Sequence, residues 1–278
     1  MKFPHKIFWI REKRIVRYVV LVLVLTFEAG CSTTSNDVTD NEPAVVIEEE
    51  EETFSTITLN LRVHIMTDIT MIHPTGWEME SWVTLDDVTE TIMPELNTIW
   101  EKAGVYWKLE SIIEENVVKS DTYQESLVYI VNAKRDADGR SDPERLPHLY
   151  GLMQPEHRSA AEQLGKNLFH IYLFPFIGNT SQGNAMSGFG YHSVVGTYTN
   201  KHNGGGVPEK TLLTESQSSF NRGSLSRTIA HEIGHVLNLN HNECSSNCLM
   251  GGISSDGYVL TEGQIITSRI EAVGRSFD

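Results

Sequence analysis

Residues 231–241 read HEIGHVLNLNH, and this stretch decides how the rest of the chain is interpreted. In an α-helix, residues four apart lie on the same face, so His231 and His235 can present both imidazoles to one metal ion. A third histidine six residues further on cannot join them if the helix continues, because at about 100° per residue it points elsewhere. Asparagine tolerates the left-handed conformation better than any residue except glycine, so Asn238 can end the helix and turn the chain back. The spacing therefore predicts a three-histidine site that is closed by His241.

The predicted ligand set suits Zn2+ as the cofactor. Three neutral imidazoles leave one position of a tetrahedral zinc ion open, as in catalytic sites, whereas a structural zinc normally has four protein ligands. Glu232 is not needed as a ligand, so it remains available as a catalytic general base. The helix itself is well specified, because Ser224 can cap it and apolar residues recur along one side, at Leu225, Ile229, Ile233, Val236 and Leu237.

The pattern HExxHxxNxxH resembles the metzincin zinc-peptidase motif HExxHxxGxxH, with Asn238 in the position of the usual glycine. That motif is followed by a methionine in a tight turn below the metal, and the segment Cys248-Leu249-Met250-Gly251-Gly252 supplies Met250 for this Met-turn. The resemblance is specific over residues 224–270. It implies a zinc-dependent endopeptidase in which a metal-activated water attacks a peptide bond and Glu232 accepts its proton.

The resemblance also implies an architecture of the α/β (α+β) class. Metzincin-like zincins combine a twisted mixed β-sheet with an active-site helix, a Met-turn and a C-terminal helix. Thr261 and Gln264 form a capping box for such a last helix, similar to that of matrixin-like members. Upstream, the resemblance makes residues 191–199 a candidate for the edge strand that pairs with substrate.

Hydrophobic periodicity predicts the elements that precede this motif. Apolar residues alternate from Ile57 to Ile65, as in a strand with one face on a core, and residues 105–112 and 167–177 predict two further strands. Thr84 can cap a helix that Gly104 stops and Pro94 can kink. Further helical pieces are predicted at residues 124–131 and 158–164. The acidic cluster between them, residues 136–142, favours a solvated turn over a calcium site because it lacks the full ligand pattern.

The N-terminus has the pattern of an export signal. Six Lys and Arg residues lie within the first seventeen residues, and residues 18–27 form an apolar or neutral run too short to span a bilayer comfortably. The run ends in Glu28-Ala29-Gly30-Cys31, which resembles a bacterial lipoprotein cleavage box, although Glu28 stands where an aliphatic residue is usual. We expect a signal peptide at residues 1–30 and lipidation of Cys31. The alternatives are an uncleaved anchor, or secretion with an incidental cysteine.

The rest of the chain divides in two. Residues 31–54 carry many carboxylates and no Lys or Arg, as in a solvated acidic tether, and residues 55–278 have the length of one catalytic domain. The expected location is the bacterial cell envelope, facing the periplasm or the surface. The expected partners are a protein or peptide substrate and the membrane reached through the lipid anchor, and we expect a monomer.

Charge and cysteine content limit the remaining possibilities. The formal net charge is -15 and no basic stripe follows the first seventeen residues, which excludes nucleic acid as a partner. In an exported protein, Cys244 and Cys248 predict a short disulfide between His241 and Met250, with a second metal site as the alternative. Two rival functions stay open: an envelope-anchored binding or adhesion protein on a decayed peptidase scaffold, and a zinc hydrolase of non-peptide amides or esters.

Overall fold

The computed structural model describes residues 54–72, 76, 78–81, 83–131, 145–162, 168–175, 177, 183–185, 191–197, 225–241, 248–251 and 257–276. Several sequence predictions fall outside these ranges: the signal peptide at residues 1–30, Cys31 and the acidic tether up to residue 53, the acidic cluster at 136–142, and the cap at Ser224. Within the described ranges, none of the helices combines the length and apolar character that a bilayer span requires.

A five-stranded sheet forms the centre of the fold, and it confirms the α/β class. The seven strands are β1 (Ile57–Thr67), β2 (Thr70–Ile72), β3 (Glu78–Glu80), β4 (Val105–Asn116), β5 (Leu168–Phe174), β6 (Gly183–Ala185) and β7 (His192–Gly196). The sheet has the order β4-β1-β5-β7-β6, and β2 and β3 form a separate antiparallel pair. The strands β4, β1, β5 and β7 are parallel, whereas β6 pairs with β7 in the antiparallel direction.

The predicted edge strand is wrong. Residues 192–196 of β7 lie between β5 and β6, and among the described strands the edge on this side of the sheet is Gly183–Ala185. All five residues of β7 are buried, as expected of an internal strand. The sequence Gly-Asn-Ala of β6 contains no alternating apolar residues, so periodicity could not reveal it.

Six α-helices accompany the sheet within the described residues: α1 (Met93–Trp100), α2 (Tyr123–Val131), α3 (Arg145–Leu152), α4 (Pro155–Glu162), α5 (Leu225–Val236) and α6 (Glu262–Ser276). The predicted start and stop signals around α1 are confirmed. Thr84 exchanges hydrogen bonds with Asp87, and Gly104 has a left-handed φ of 60°. Pro94 lies in the first turn of α1, directly after a π-helical segment at Asp87–Ile92, so the helix changes its hydrogen-bond register where proline lacks an N–H.

The sheet separates two apolar cores. Odd-numbered residues of β5 (Phe169, Ile171, Leu173) pack with residues of α1 and α5, whereas Tyr172 and Phe174 pack with residues of α2 and α3. Because successive side chains of a strand point to opposite faces, the two cores lie on opposite faces of the sheet. The prediction of one buried face for β1 was therefore incomplete, since His64 and Met66 are buried on the second face.

A row of buried histidines crosses that second face on three neighbouring strands. His64 of β1, His170 of β5 and His192 of β7 are almost completely inaccessible to solvent. His64 Nδ1 lies 3.0 Å from a carboxylate oxygen of Glu115, and its Nε2 lies 2.9 Å from Nδ1 of His170. Because the carboxylate accepts the His64 Nδ1 hydrogen, Nε2 of His64 accepts the Nδ1 hydrogen of His170. His192 Nδ1 lies 3.0 Å from the hydroxyl of Tyr172.

Burial keeps this row neutral. Desolvation lowers the pKa of His192 to about 3, with the neighbouring His64 as a smaller cause. The pKa of His170 is lowered by burial and then by His192 and His64, and that of His64 is lowered by burial against the opposing influence of Glu115. The unfolded chain therefore binds protons that the folded protein does not.

We expect acid to destabilise the protein through this row. The contribution of these histidines to the free energy of unfolding is fully present above their pKa in the unfolded chain, about 6.5. It is lost as the pH falls toward their lower pKa in the folded protein, by about 1.4 kcal/mol per pH unit for each histidine. The variant His192→Gln removes one of these protonations while leaving an acceptor for Tyr172. Urea unfolding between pH 4.5 and 5.5 should show a pH slope of the free energy of unfolding that is about 1.4 kcal/mol per unit smaller than in the wild type. An unchanged slope would contradict this prediction.

Candidate metal centre

Helix α5 places the first two histidines of the motif. Ten of its twelve residues are buried, and the two half-buried ones are His231 and His235, which lie one turn apart. The helix packs against α1 and against strands β6 and β7. The apolar residues of α5 therefore anchor it in the core, while one narrow strip of its surface carries both imidazoles.

Asn238 turns the chain back toward this strip, as predicted. Its φ is 65°, in the left-handed region, and α5 ends at Val236. The Asn238 N–H donates to the His235 carbonyl at 3.0 Å, and the Leu239 N–H donates to the Gly234 carbonyl at 2.9 Å. These two bonds form the Schellman motif, which satisfies carbonyls at the helix end. Asparagine thus makes the turn for which the resemblance to known motifs suggested glycine.

The turn brings the third histidine to the other two. Nε2 of His241 lies 3.0 Å from Nε2 of His231 and 2.9 Å from Nε2 of His235. The ligand atoms of the three residues all lie within 4.8 Å of one another, and in the described part of the chain this is the one group of at least three His, Cys, Asp or Glu residues with metal-site geometry. His241 is exposed, so the cluster opens to solvent on that side.

Backbone carbonyls fix the tautomers of two of these rings. His231 Nδ1 lies 2.7 Å from the Leu249 carbonyl oxygen, and His235 Nδ1 lies 2.8 Å from that of Leu239. A carbonyl can only accept, so both Nδ1 atoms carry hydrogens and both neutral rings have a bare lone pair on Nε2. His241 can supply a hydrogen to at most one of these lone pairs. Two acceptor nitrogens thus converge on Nε2 of His241, an arrangement that suits the binding of a cation.

The neutral state of His231 is favoured by its surroundings. Desolvation lowers its pKa to about 3, and the electrostatic interaction with His235 is the next cause, while the hydrogen bond to the Leu249 carbonyl opposes the shift. A neutral imidazole is the form that binds a metal ion, because protonation removes the lone pair.

Met250 lies in a tight turn that packs against α5 at Gly234, between the two helical histidines. Its side chain is completely buried, and a Cβ added to Gly234, between the two helical histidines, would lie 2.5 Å from its Sδ. The Gly251 N–H donates to the Cys248 carbonyl at 3.2 Å, and the Leu249 N–H donates to the carbonyl of Val259 at 2.9 Å. The side chain of Met250 thus packs on α5 between the two helical histidines, and its role as the residue of a Met-turn stays a prediction. Close packing of α5 on this turn requires glycine at position 234.

Glu232 is buried on α5 next to the first histidine. Among the described residues, the cluster of convergent ligand atoms consists of the three histidines and leaves Glu232 out. The carboxylate thus lies next to the cluster in sequence, and its role as a general base stays a prediction.

The predicted disulfide is not supported. The described residues contain no disulfide bond, and Cys244, the expected partner of the buried Cys248, lies outside them. The capping box of the last helix is confirmed, because Thr261 N donates to Gln264 Oε1 at 3.1 Å and Gln264 N donates to Thr261 Oγ1 at 3.3 Å.

Three groups that hold the site in place were not predicted from the sequence. They are the carbonyls of Leu239 and Leu249, which accept from the histidines, and the guanidinium of Arg227, which donates to the turn around Met250. A carbonyl has no sequence signature, since every residue has one. Arg227 did leave a signal, because it is a charged residue among the apolar residues of α5, one turn before His231.

Comparisons with known proteins give distant structural likenesses. The chain matches no protein-family model and no curated protein sequence. Among solved structures, a chaperone–substrate complex is similar at 12% identity and a TM-score of 0.39, over 81% of this chain and 36% of that one. A zinc-dependent peptidase from Methanocorpusculum labreanum is similar at 11% identity and a TM-score of 0.38, over 75% of this chain and 99% of that one.

The contact between Gly234 and Met250 can be tested by substitution. In an unhindered helix, Gly→Ala stabilises by about 1 kcal/mol, but the added Cβ of Gly234→Ala would lie 2.5 Å from Met250 Sδ and 3.2 Å from its Cε. We expect this variant to lower the free energy of unfolding by about 1–3 kcal/mol, the usual range for overpacking, measured by urea denaturation.

Gly274→Ala in α6 is the matched control, because nothing lies within 4 Å of its added Cβ. It should leave stability unchanged or raise it. If both variants gained stability equally, Met250 would be free to move aside without cost, and the close packing inferred for this turn would be wrong.

Proposed function

We propose that this protein is a zinc-dependent endopeptidase of the metzincin type, with His231, His235 and His241 as zinc ligands and Glu232 as the general base. The convergence of the three Nε2 atoms carries the proposal, since His241 Nε2 lies within 3.0 Å of both others. The motif and Met250 below it point in the same direction, because the resemblance to metzincins calls for both.

The donor set fits zinc in number, type and protonation. Three imidazole nitrogens with one open position are typical of catalytic zinc sites. Nε2 of His241 lies 3.0 Å from that of His231 and 2.9 Å from that of His235, and all three ligand atoms lie within 4.8 Å of one another. Carbonyl partners on Nδ1 of His231 and His235 are the outer hydrogen bonds that orient metal-binding histidines and make them more basic.

The chain's own contribution to hydrolysis comes from Glu232. When bound, the ion would supply a Lewis acid that lowers the pKa of water in its open position and polarises the peptide carbonyl. The Glu232 carboxylate takes the proton of the attacking water and then delivers it to the leaving amine nitrogen. Because Glu232 follows His231 directly on a rigid, buried helix, its distance from the ligands is set by α5 rather than by a loop.

The sheet edge offers a place for the substrate backbone. Strand β6 is the last strand in the sheet order, and α5 packs against both β6 and β7. An extended peptide can add to such an edge through main-chain hydrogen bonds, which recognise a peptide independently of its side chains. Such an edge beside α5 supports the proposal of a protein or peptide substrate. We therefore propose Gly183–Ala185, rather than residues 191–199, as the strand that pairs with substrate.

We further propose that the protein is exported and anchored in the cell envelope through a lipid on Cys31. The support lies in the sequence alone: the basic and apolar pattern of residues 1–30 and the cleavage box that ends at Cys31.

Metabolic labelling with a fatty acid analogue should mark the wild type and leave Cys31→Ser unlabelled.

The role of Glu232 has a direct test. Glu232→Gln removes the basic carboxylate but retains all three ligands, so the protein should bind one zinc ion and lose about 100- to 10,000-fold in kcat. Cleavage of an unfolded protein or a peptide mixture measures turnover, and elemental analysis measures zinc. Glu262→Gln, at an exposed position in the first turn of α6, is the control and should behave as the wild type.

Each other outcome has a distinct meaning. Retained turnover in Glu232→Gln would show that the general base is another group. A wild type that binds zinc but cleaves no peptide would be a binding protein on this scaffold, or a hydrolase if it cleaves other amides or esters. A wild type without stoichiometric zinc would overturn the proposal itself.

The third ligand can be tested separately. His241→Ala removes the imidazole that the Asn238 turn delivers and leaves the helical pair intact. We expect zinc to be lost at concentrations that saturate the wild type, together with chelator-sensitive turnover. Equal zinc content in the variant and the wild type would exclude His241 as a ligand.

A further inference from the structure

Arg227 connects the metal centre to the turn that carries Met250. Its side chain is buried and lies on α5 one turn before His231. Nε donates to the Gly257 carbonyl at 2.7 Å and Nη2 donates to the Leu249 carbonyl at 3.2 Å. One guanidinium thus joins the two chain segments that flank residues 252–256.

One of these carbonyls is shared with a proposed zinc ligand. The Leu249 oxygen accepts the Nδ1 hydrogen of His231 at 2.7 Å as well as the hydrogen from Arg227. A carbonyl oxygen has two lone pairs, so these two donors occupy its full capacity. Arg227 therefore fixes the direction of the Leu249 carbonyl. The orientation of the His231 ring depends on that direction, because its Nδ1 hydrogen is donated to the same oxygen.

The geometry makes this support rigid. Arg227 and His231 are four residues apart on the same helix, so the two donors approach the Leu249 carbonyl from one rigid frame. The planar fork of a guanidinium can bond two segments in fixed directions, whereas an ammonium acts as a single point charge. The neighbouring Met250 follows Leu249 directly, so the same bond also holds the turn beneath the histidines.

We propose that Arg227 is a positioning residue for the metal centre: through the Leu249 carbonyl it keeps the His231 Nε2 lone pair directed at the ion. This inference rests on the proposed zinc site and deepens it. The role differs from that of an ordinary structural arginine. Arg269 of α6 also donates to two carbonyls, those of Ala103 and Ser55, but neither of these is among the carbonyls that accept from the metal-site histidines.

The test compares Arg227→Lys with Arg269→Lys in the full chain. Lysine keeps the positive charge but lacks the planar fork with which Arg227 bonds the Leu249 and Gly257 carbonyls in fixed directions. We expect Arg227→Lys to weaken zinc affinity by about 10- to 100-fold, the usual effect of losing an outer partner of a metal ligand, in competition with a chelator of known affinity. Arg269→Lys should keep the wild-type zinc affinity even if it lowers the melting temperature.

Cobalt substitution gives a second measurement. The spectrum of bound Co2+ would stay unchanged in the variant if Arg227 only stabilised the fold. The visible spectrum of bound Co2+ responds to ligand geometry, so its bands should shift in Arg227→Lys and stay unchanged in Arg269→Lys. If Arg227→Lys matched the wild type in zinc affinity and in the cobalt spectrum, the positioning role would be overturned. If it failed to fold at any zinc concentration while Arg269→Lys folded, Arg227 would support the whole fold, and the proposal would also be overturned.

These outcomes are separate from a failure of the proposed function. A wild type that binds neither zinc nor cobalt would remove the zinc site, and the role of Arg227 with it. A wild type that binds both ions, next to an Arg227→Lys variant that binds them equally well, would remove the role of Arg227 alone.

Discussion

The left-handed conformation of Asn238 is the constraint on which the candidate metal centre depends. A helix can align His231 and His235 but cannot bring a residue six positions later to the same point, so the chain has to break and return. The two hydrogen bonds of the Schellman motif stabilise that break, and they lie next to the residues they serve, since one carbonyl belongs to Gly234 and the other to His235. The same turn that ends the helix thus also brings His241 to the other two histidines.

The centre also depends on a second layer of backbone carbonyls. Leu239, directly after the turn, accepts from His235, and Leu249, directly before Met250, accepts from His231. One carbonyl precedes His241 in the chain and the other follows it, and both accept Nδ1 hydrogens, so that the Nε2 atoms carry lone pairs. These bonds fix the orientation of both rings, and Gly234 allows Met250 to pack against α5 between them.

The protein contains two histidine clusters with opposite properties. In the candidate metal centre, Nδ1 of His231 and of His235 donates to a carbonyl. The Nε2 atoms of these two rings face Nε2 of the exposed His241. In the buried row on the second face of the sheet, His64 uses both nitrogens on Glu115 and His170. No group of His64, His170 and His192 has the convergent ligand geometry of a metal site among the described residues. Where each imidazole finds its hydrogen-bond partners, rather than how many histidines are near, decides which cluster can bind an ion.

The sequence by itself determined the parts of this protein that are local. The spacing in HEIGHVLNLNH, the tolerance of asparagine for positive φ, and the capping pairs at Thr84 and Thr261 act over a few residues, so they could be interpreted without coordinates. The tertiary structure alone decided which strand forms the sheet edge, that the C-terminal half of β1 is buried on both faces, and that Arg227 shares a carbonyl with His231. These features join segments far apart in the chain through backbone groups that every residue possesses, and a pattern of side chains does not record them.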